Sequence, residues 1–223
     1  MKMDKGEIVV KGTGKVSASP DLLIIELSLE VVEPEYDKAM LVATEHLDAL
    51  RAAVVSAGHD KGSLKTTQFN VNTKYESYRD KSQNYRQKFI GYCCTHRLRL
   101  ESGLDMKRLG VTLGAIADCP ARPWFSIKFS VKDPTAVSEQ LLENAIGNAK
   151  RKAEVLTKSA GVKLGAIKRI DYNWSEHRLY SQTDYHVMES AADYSESPRA
   201  LAIDIKPEDI DVSDNVTVIW SIE

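Results

Sequence analysis

A chain of 223 residues, 43% hydrophobic and 28% charged, is long enough to bury roughly 70% of the surface its unfolded form would expose, which excludes a disordered chain. With 30 Lys plus Arg against 32 Asp plus Glu the net charge is −2, so no global field draws nucleic acid or an anionic membrane. No run approaches about 18 apolar residues, the opening moves from charge into short alternation, and three cysteines (Cys93, Cys94, Cys119) lack a framework spacing. These features predict a soluble, unexported protein of the cytoplasm, with no membrane partner.

Ile8 to Lys11 reads as a short strand, and Gly12-Thr-Gly14 with Pro20-Asp21 as a turn-rich connection. From Leu22 to Val32, Leu23, Ile25, Leu27, Leu29 and Val31 share one face of a half-buried strand, which Pro34 ends. Tyr36, Met40, Ala43, Leu47, Leu50 and Val54 then recur at helical steps, and Ala57-Gly58 supplies a glycine stop. Phe69, Val71, Thr73 and Tyr75 alternate, and the polar segment 76–87 leads into a strand from Phe89 to Glu101, so the pair reads as a long hairpin.

Ser102, three residues before Asp105, resembles a capping box opening a helix over 103–118 with Met106, Leu109, Leu113 and Ile116 on one side. Phe125, Ile127, Phe129 and Val131 form a strand face, and Asp133-Pro134 starts a long helix as N-cap and first-turn proline. Val137, Leu141, Ala145, Ala149, Ala153, Leu156 and Ala160 are its expected seam before Gly161. Strands at Ile170, Tyr172 and Trp174 and at Val216, Val218, Trp220 and Ile222 complete the chain.

The order strand, proline turn, helix, Ala-Gly stop, strand, polar excursion, strand occurs twice, about a hundred residues apart. The expectation is an α+β fold of duplicated βαββ units, antiparallel sheet with long helices on one face. It forms a single domain of two similar halves, about 8–101 and 122–223, joined by the short helix 103–118.

Taken in order, Gly12-x-Gly14, Pro20-Asp21, Thr66 or Thr67 ahead of Phe69-x-Val71, Gly91-Tyr92 before Leu98 and Leu100, the alanine-rich helix ending in Gly161 and Val216-x-Val218 resemble the SIMPL-domain family. The likeness spans nearly the whole chain. It implies a βαββ-type α+β fold and a tendency to self-assemble, and it brings no catalytic residues, because the family's molecular activity is unsettled. Related bacterial proteins commonly carry an export signal, from which this chain departs.

Chemistry-bearing motifs are sparse. Gly12-Thr-Gly14-Lys15 fails as a phosphate loop, since Val9 and Val16 occupy positions that need Gly and Ser or Thr. Cys93 and Cys94 are neighbours that point to opposite strand faces, and Cys94 with His96 lacks an orienting third group. His177, His186 and Glu189 lie in a polar stretch without ligand spacing. No cofactor or metal is expected.

The segment 74–88 interleaves Tyr75, Tyr78 and Tyr85 with Lys74, Arg79, Lys81, Arg86 and Lys88, against Glu76 and Asp80. The stretch 171–199 carries Asp171, Glu176, Asp184, Glu189, Asp193 and Glu196 against Arg178 and Arg199, with Tyr180, Tyr185 and Tyr194. Their opposite charge predicts a pairing within one chain or between copies. The candidate interface is Tyr78, Arg79, Lys81, Tyr85, Arg86, Tyr185, Glu189, Asp193 and Glu196. The expected function is a non-enzymatic binding or scaffolding protein acting as a homo-oligomer. The alternatives are an enzyme whose site is assembled from distant residues, and a weak nucleic-acid binder through the 74–88 hairpin.

Overall fold

The structure, a computed structural model, describes residues 6–80, 83–172, 179–183, 185–186 and 205–223. In chain order the elements are β1 (Glu7–Ala18), β2 (Leu22–Glu33), α1 (Tyr36–Ser56), β3 (Leu64–Arg79), β4 (Tyr85–Gly103), α2 (Met106–Ala117), β5 (Trp124–Ser130), α3 (Pro134–Ala160), β6 (Leu164–Tyr172), β7 (Tyr185–His186) and β8 (Ile210–Ile222). Among the described residues they form a three-stranded sheet, β1-β8-β6, and a five-stranded sheet, β3-β4-β2-β5-β7. The fold is α+β, with the antiparallel sheets expected. Sheet membership departs from chain order: β1 joins β8, and β5 lies beside β2.

Packing divides the chain into two units, one holding β1, α3, β6 and β8, the other β2, α1, β3, β4, α2, β5 and β7. In the second unit Leu23, Ile25, Leu27 and Leu29 of β2 pack with Leu98 and Leu100 of β4, Leu50 and Val54 of α1, and Leu109, Leu113 and Ile116 of α2. The alternation of β2 and the helical spacing of α1 and α2 thus converge on one core. In the first unit Ala145, Ala149 and Ala153 of α3 pack on Val10, Val216, Val218 and Trp220.

Three local expectations are corrected. Gly12-Thr-Gly14 is no turn; β1 runs straight through it. A Cβ at Gly12 would stand 2.1 Å from the Ala145 carbonyl oxygen and one at Gly14 2.0 Å from that of Leu141, so these glycines let α3 lie directly on the strand. Ser102 lies inside β4, and α2 is capped by Asp105, whose carboxylate accepts from the N–H groups of Lys107 and Arg108. The seam of α3 ends in Thr157, while Leu156 and Ala160 face outward. The buried positions run 141, 145, 149, 153 and 157 in steps of four, and Thr157 fits because its hydroxyl donates to the Ala153 carbonyl at 2.8 Å. Asp133 caps α3 through the Ala136 N–H with Pro134 in the first turn, and Gly161, at φ 73°, ends it as expected.

Candidate functional site

The two longest described strands of the second unit, β3 and β4, form a hairpin. β2 accompanies β4 only as far as the Glu33–Tyr92 pair, so residues 74–79 and 85–91 continue as a two-stranded arm. A register shift between Lys74 and Tyr75 leaves an extra residue on β4, and Gly91 there has φ 150°. A Cβ at Gly91 would fall 2.3 Å from the Glu33 carbonyl oxygen, so only glycine lets the arm pass the end of β2.

A two-stranded ribbon is marginal alone, and this one is held by aromatic and charged contacts. Tyr36 at the start of α1 meets Tyr92 edge-on at 5.6 Å, Tyr92 meets Phe89 at 5.5 Å, and Phe89 meets Tyr75 at 5.7 Å. Lys74 bridges to Glu30 of β2 at 2.6 Å, which holds the Glu30 carboxyl below its usual range. At the tip Asp80 accepts from the Asn84 N–H at 3.0 Å and bridges to Arg86 at 3.1 Å. Arg79 donates to the Tyr85 hydroxyl at 2.6 Å and stacks over its ring at 4.8 Å. Arg79, Arg86 and Lys74 are therefore engaged within their own sheet. Sequence composition shows these charges, but not that they are taken up locally.

β3 itself is the edge of the five-stranded sheet, and from Lys65 to Arg79 its side chains are exposed except for half-buried Val71. Phe69, Tyr75 and Tyr78 stand on it with 42–52% of their surface open, and Tyr85 and Phe89 on the neighbouring strand are similarly bare. Of the candidate interface residues, Tyr78, Arg79, Tyr85 and Arg86 are thus brought together on one arm. Lys81, Glu189, Asp193 and Glu196 lie outside the described residues, as do His177 and Trp174, and Tyr185 is described only as pairing with Ile127.

Among the described residues the remaining candidates form no reactive group. Cys94 is buried, and burial pushes its thiol above the usual range. His96 turns to Thr66, Nε2 to Oγ1 2.8 Å, and packs edge-on against Phe69. Burial, with the charge of Arg51, pushes its pKa down. His59 is likewise buried against Thr112 at 2.7 Å. The Thr112 hydroxyl donates to the Arg108 carbonyl, so His59 Nε2 is the donor in that pair. Among the described residues no three His, Cys, Asp or Glu side chains converge on a metal position. No described helix is long and apolar enough to cross a membrane.

Residues 8–220 match the SIMPL family, described as a protein of unknown function (DUF541), and the chain belongs to that family. It is 26% identical over 170 residues to the 26 kDa periplasmic immunogenic protein of Brucella melitensis, covering 76% of this chain and 68% of the relative. The protein of the same name from Brucella abortus is 25% identical over the same shares. The cytoplasmic expectation is corrected by these relatives, which are named periplasmic and point to an exported location. Cysteine spacing misled because it reports only the lack of a disulfide framework; Cys94 and Cys119 are free thiols enclosed in the core, where burial shields them in any compartment.

Proposed function

We propose that this SIMPL-family chain is a non-enzymatic binding or scaffolding protein of the periplasm that acts as a homo-oligomer, assembled through the exposed β3 edge and the aromatic arm it forms with β4. The carrying observation is the 16-residue edge strand with nearly every side chain open and aromatic residues along it. A long, bare, aromatic edge is an aggregation hazard in a protein meant to stay alone, so its retention argues for a partner. A second copy supplies the matching edge, and an antiparallel pairing of two β3 strands repeats the same contacts on both sides of a two-fold axis.

Around that apolar centre the charges act at the rim. The arm, with Tyr78, Arg79, Lys81, Tyr85 and Arg86, meets the segment carrying Tyr185, Glu189, Asp193 and Glu196 of a neighbouring copy. Exposed ion pairs are each worth only about 0–1 kcal/mol, so they set register and association rate while apolar contact supplies affinity.

Light scattering after gel filtration tests this. The wild type should run as a multimer that weakens with salt without dissociating, and Phe69→Lys with Tyr75→Lys should yield single chains of unchanged circular dichroism. A wild type of single-chain mass, or an undiminished oligomer in the double variant, overturns the reading.

A further inference from the structure

The free edge of β1, in the first unit, is covered by a row of α3 side chains that stops one position short. Asn144 Nδ2 donates to the Lys15 carbonyl at 3.1 Å, Asn148 Oδ1 accepts from the Thr13 N–H at 3.1 Å, and Lys152 Nζ donates to the Lys11 carbonyl at 3.0 Å. Four helical residues advance about 6 Å and two strand residues about 6.8 Å, so a row at every fourth helix position stays in step with every second strand position. The alternate residues point the other way, as the Gly6 carbonyl does in accepting from Ile222 of β8 at 2.9 Å.

The next members of the two series are Leu156 and Val9. Leucine has no group to offer the backbone, and by the same alternation as Lys11, Thr13 and Lys15 the N–H and C=O of Val9 point outward from the edge, while its side chain is 62% exposed. Among the described residues no side chain bonds its N–H or C=O. Beside it an open groove of about 430 Å³ is lined by Val10, Val155, Leu156 and the stems of Arg151 and Lys152. Val155 and Leu156 are 64% and 51% exposed, and among the described residues Arg151 makes no ion pair.

We propose that this edge binds a short extended acidic peptide by strand addition. The peptide backbone pairs with the outward N–H and C=O of Val9, one apolar side chain fills the groove over Val10, and an acidic residue two positions along meets Arg151 and Lys152. Lys152 closes the edge at Lys11, which limits the added strand to about four residues. The surface belongs to the first unit and the β3 edge to the second, so Phe69→Lys with Tyr75→Lys touches none of its residues and leaves peptide binding intact.

The test uses a fluorescein-labelled acetyl-Thr-Leu-Thr-Glu-Thr amide, whose Leu and Glu share one strand face, and fluorescence anisotropy on the full chain. Saturable binding is expected, weakened about tenfold or more by Leu156→Asn, which extends the polar row over Val9 on an exposed helix face, and by N-methylation of the peptide. Arg151→Glu should weaken the Glu peptide and favour its Lys counterpart. Thermal melts establish that both variants are folded. Absence of saturable binding, or binding indifferent to N-methylation and to Leu156→Asn, overturns the proposal. A fall in the mass of the unliganded protein on Leu156→Asn also overturns it, because a second copy would then occupy this edge.

Discussion

β1 and β3 are both edge strands of antiparallel sheets, and the chain treats them in opposite ways. Along β1 the outward backbone groups of Lys11, Thr13 and Lys15 are met by Lys152, Asn148 and Asn144. Along β3 the side chains from Lys65 to Arg79 stand open except for half-buried Val71, and among the described residues no row of helix side chains bonds its outer edge. The difference lies in where each helix can rest. Gly12 and Gly14 remove the Cβ atoms that would hold α3 away, so the helix settles on the edge strand of its sheet and its polar flank reaches over the side. α1 instead packs mainly on β2 and β4, where Val31 and Cys94 receive Ala39 and Ala43, and of β3 only Leu64 and half-buried Val71 join the helix's clusters. An edge is protected or exposed according to where the helix above it sits, since the strand residues alternate in either case.

The sharpest way to break the contrast is to push α3 off β1. Gly14→Val and Gly12→Val should each destabilise by about 3 kcal/mol in urea unfolding, because the new side chain would overlap helix backbone that cannot move without repacking. Gly147→Ala on the same helix meets nothing within 4 Å and should instead stabilise by about 1 kcal/mol through helix propensity. Equal losses at Gly147 and Gly14 would show that close packing on β1 is not what the glycines serve.

A smaller effect is expected from uncovering the β1 edge one bond at a time. Asn148→Ala removes the acceptor of the Thr13 N–H and should cost about 1 kcal/mol, with faster hydrogen exchange confined to that amide. Unchanged exchange at Thr13 would mean the amide row contributes nothing.

The smallest effect separates the two edges by pH. His96 beneath β3 is held neutral by burial, with Arg51 of α1 as the nearby charge and Thr66 and Phe69 of β3 packed on it, so its folded pKa lies below the usual 6.5. The unfolded chain therefore takes up the proton first, and the contribution of neutral His96 is present above about pH 6.5 and declines as pH falls through the unfolded pKa toward the folded one. Among the described residues no histidine bonds the β1 edge. Relative to β1, amide protection along β3 should drop between about pH 7 and pH 5, and His96→Gln should remove the difference. A parallel decline on both edges would contradict this.

Much of this fold was legible in the residues. The alternation of Leu23 to Val31 and of Phe125 to Phe129, the stripe of α2 and that of α1 from Ala43 to Val54, and the Asp133-Pro134 start with its Gly161 stop emerge at their expected places, because each depends on neighbours within a turn or a strand pleat, while β5 ends at Ser130, one residue before Val131. Gly12-Thr-Gly14 misled for the converse reason. Glycine is used both where a chain turns and where another backbone comes close, and only the partner helix, more than a hundred residues away, tells the two apart.

The candidate surface divides the same way. Tyr75, Tyr78, Tyr85 and the surrounding cations could be read as one cluster, but their engagement with Asp80, Glu30 and one another required the hairpin register. The row Asn144, Asn148, Lys152 and Leu156 carries no signal in sequence, since a polar helix flank facing water looks identical to one facing a strand edge. Local periodicity sets where most strands and helices form and which face is apolar, except where β1 runs through Gly12–Gly14, where β4 takes in Ser102 and in the last turn of α3. The pairing of β1 with β8, the place of β5 beside β2 and the covering of one sheet edge but not another depend on which surfaces meet across long stretches of chain, and so are set by the fold as a whole.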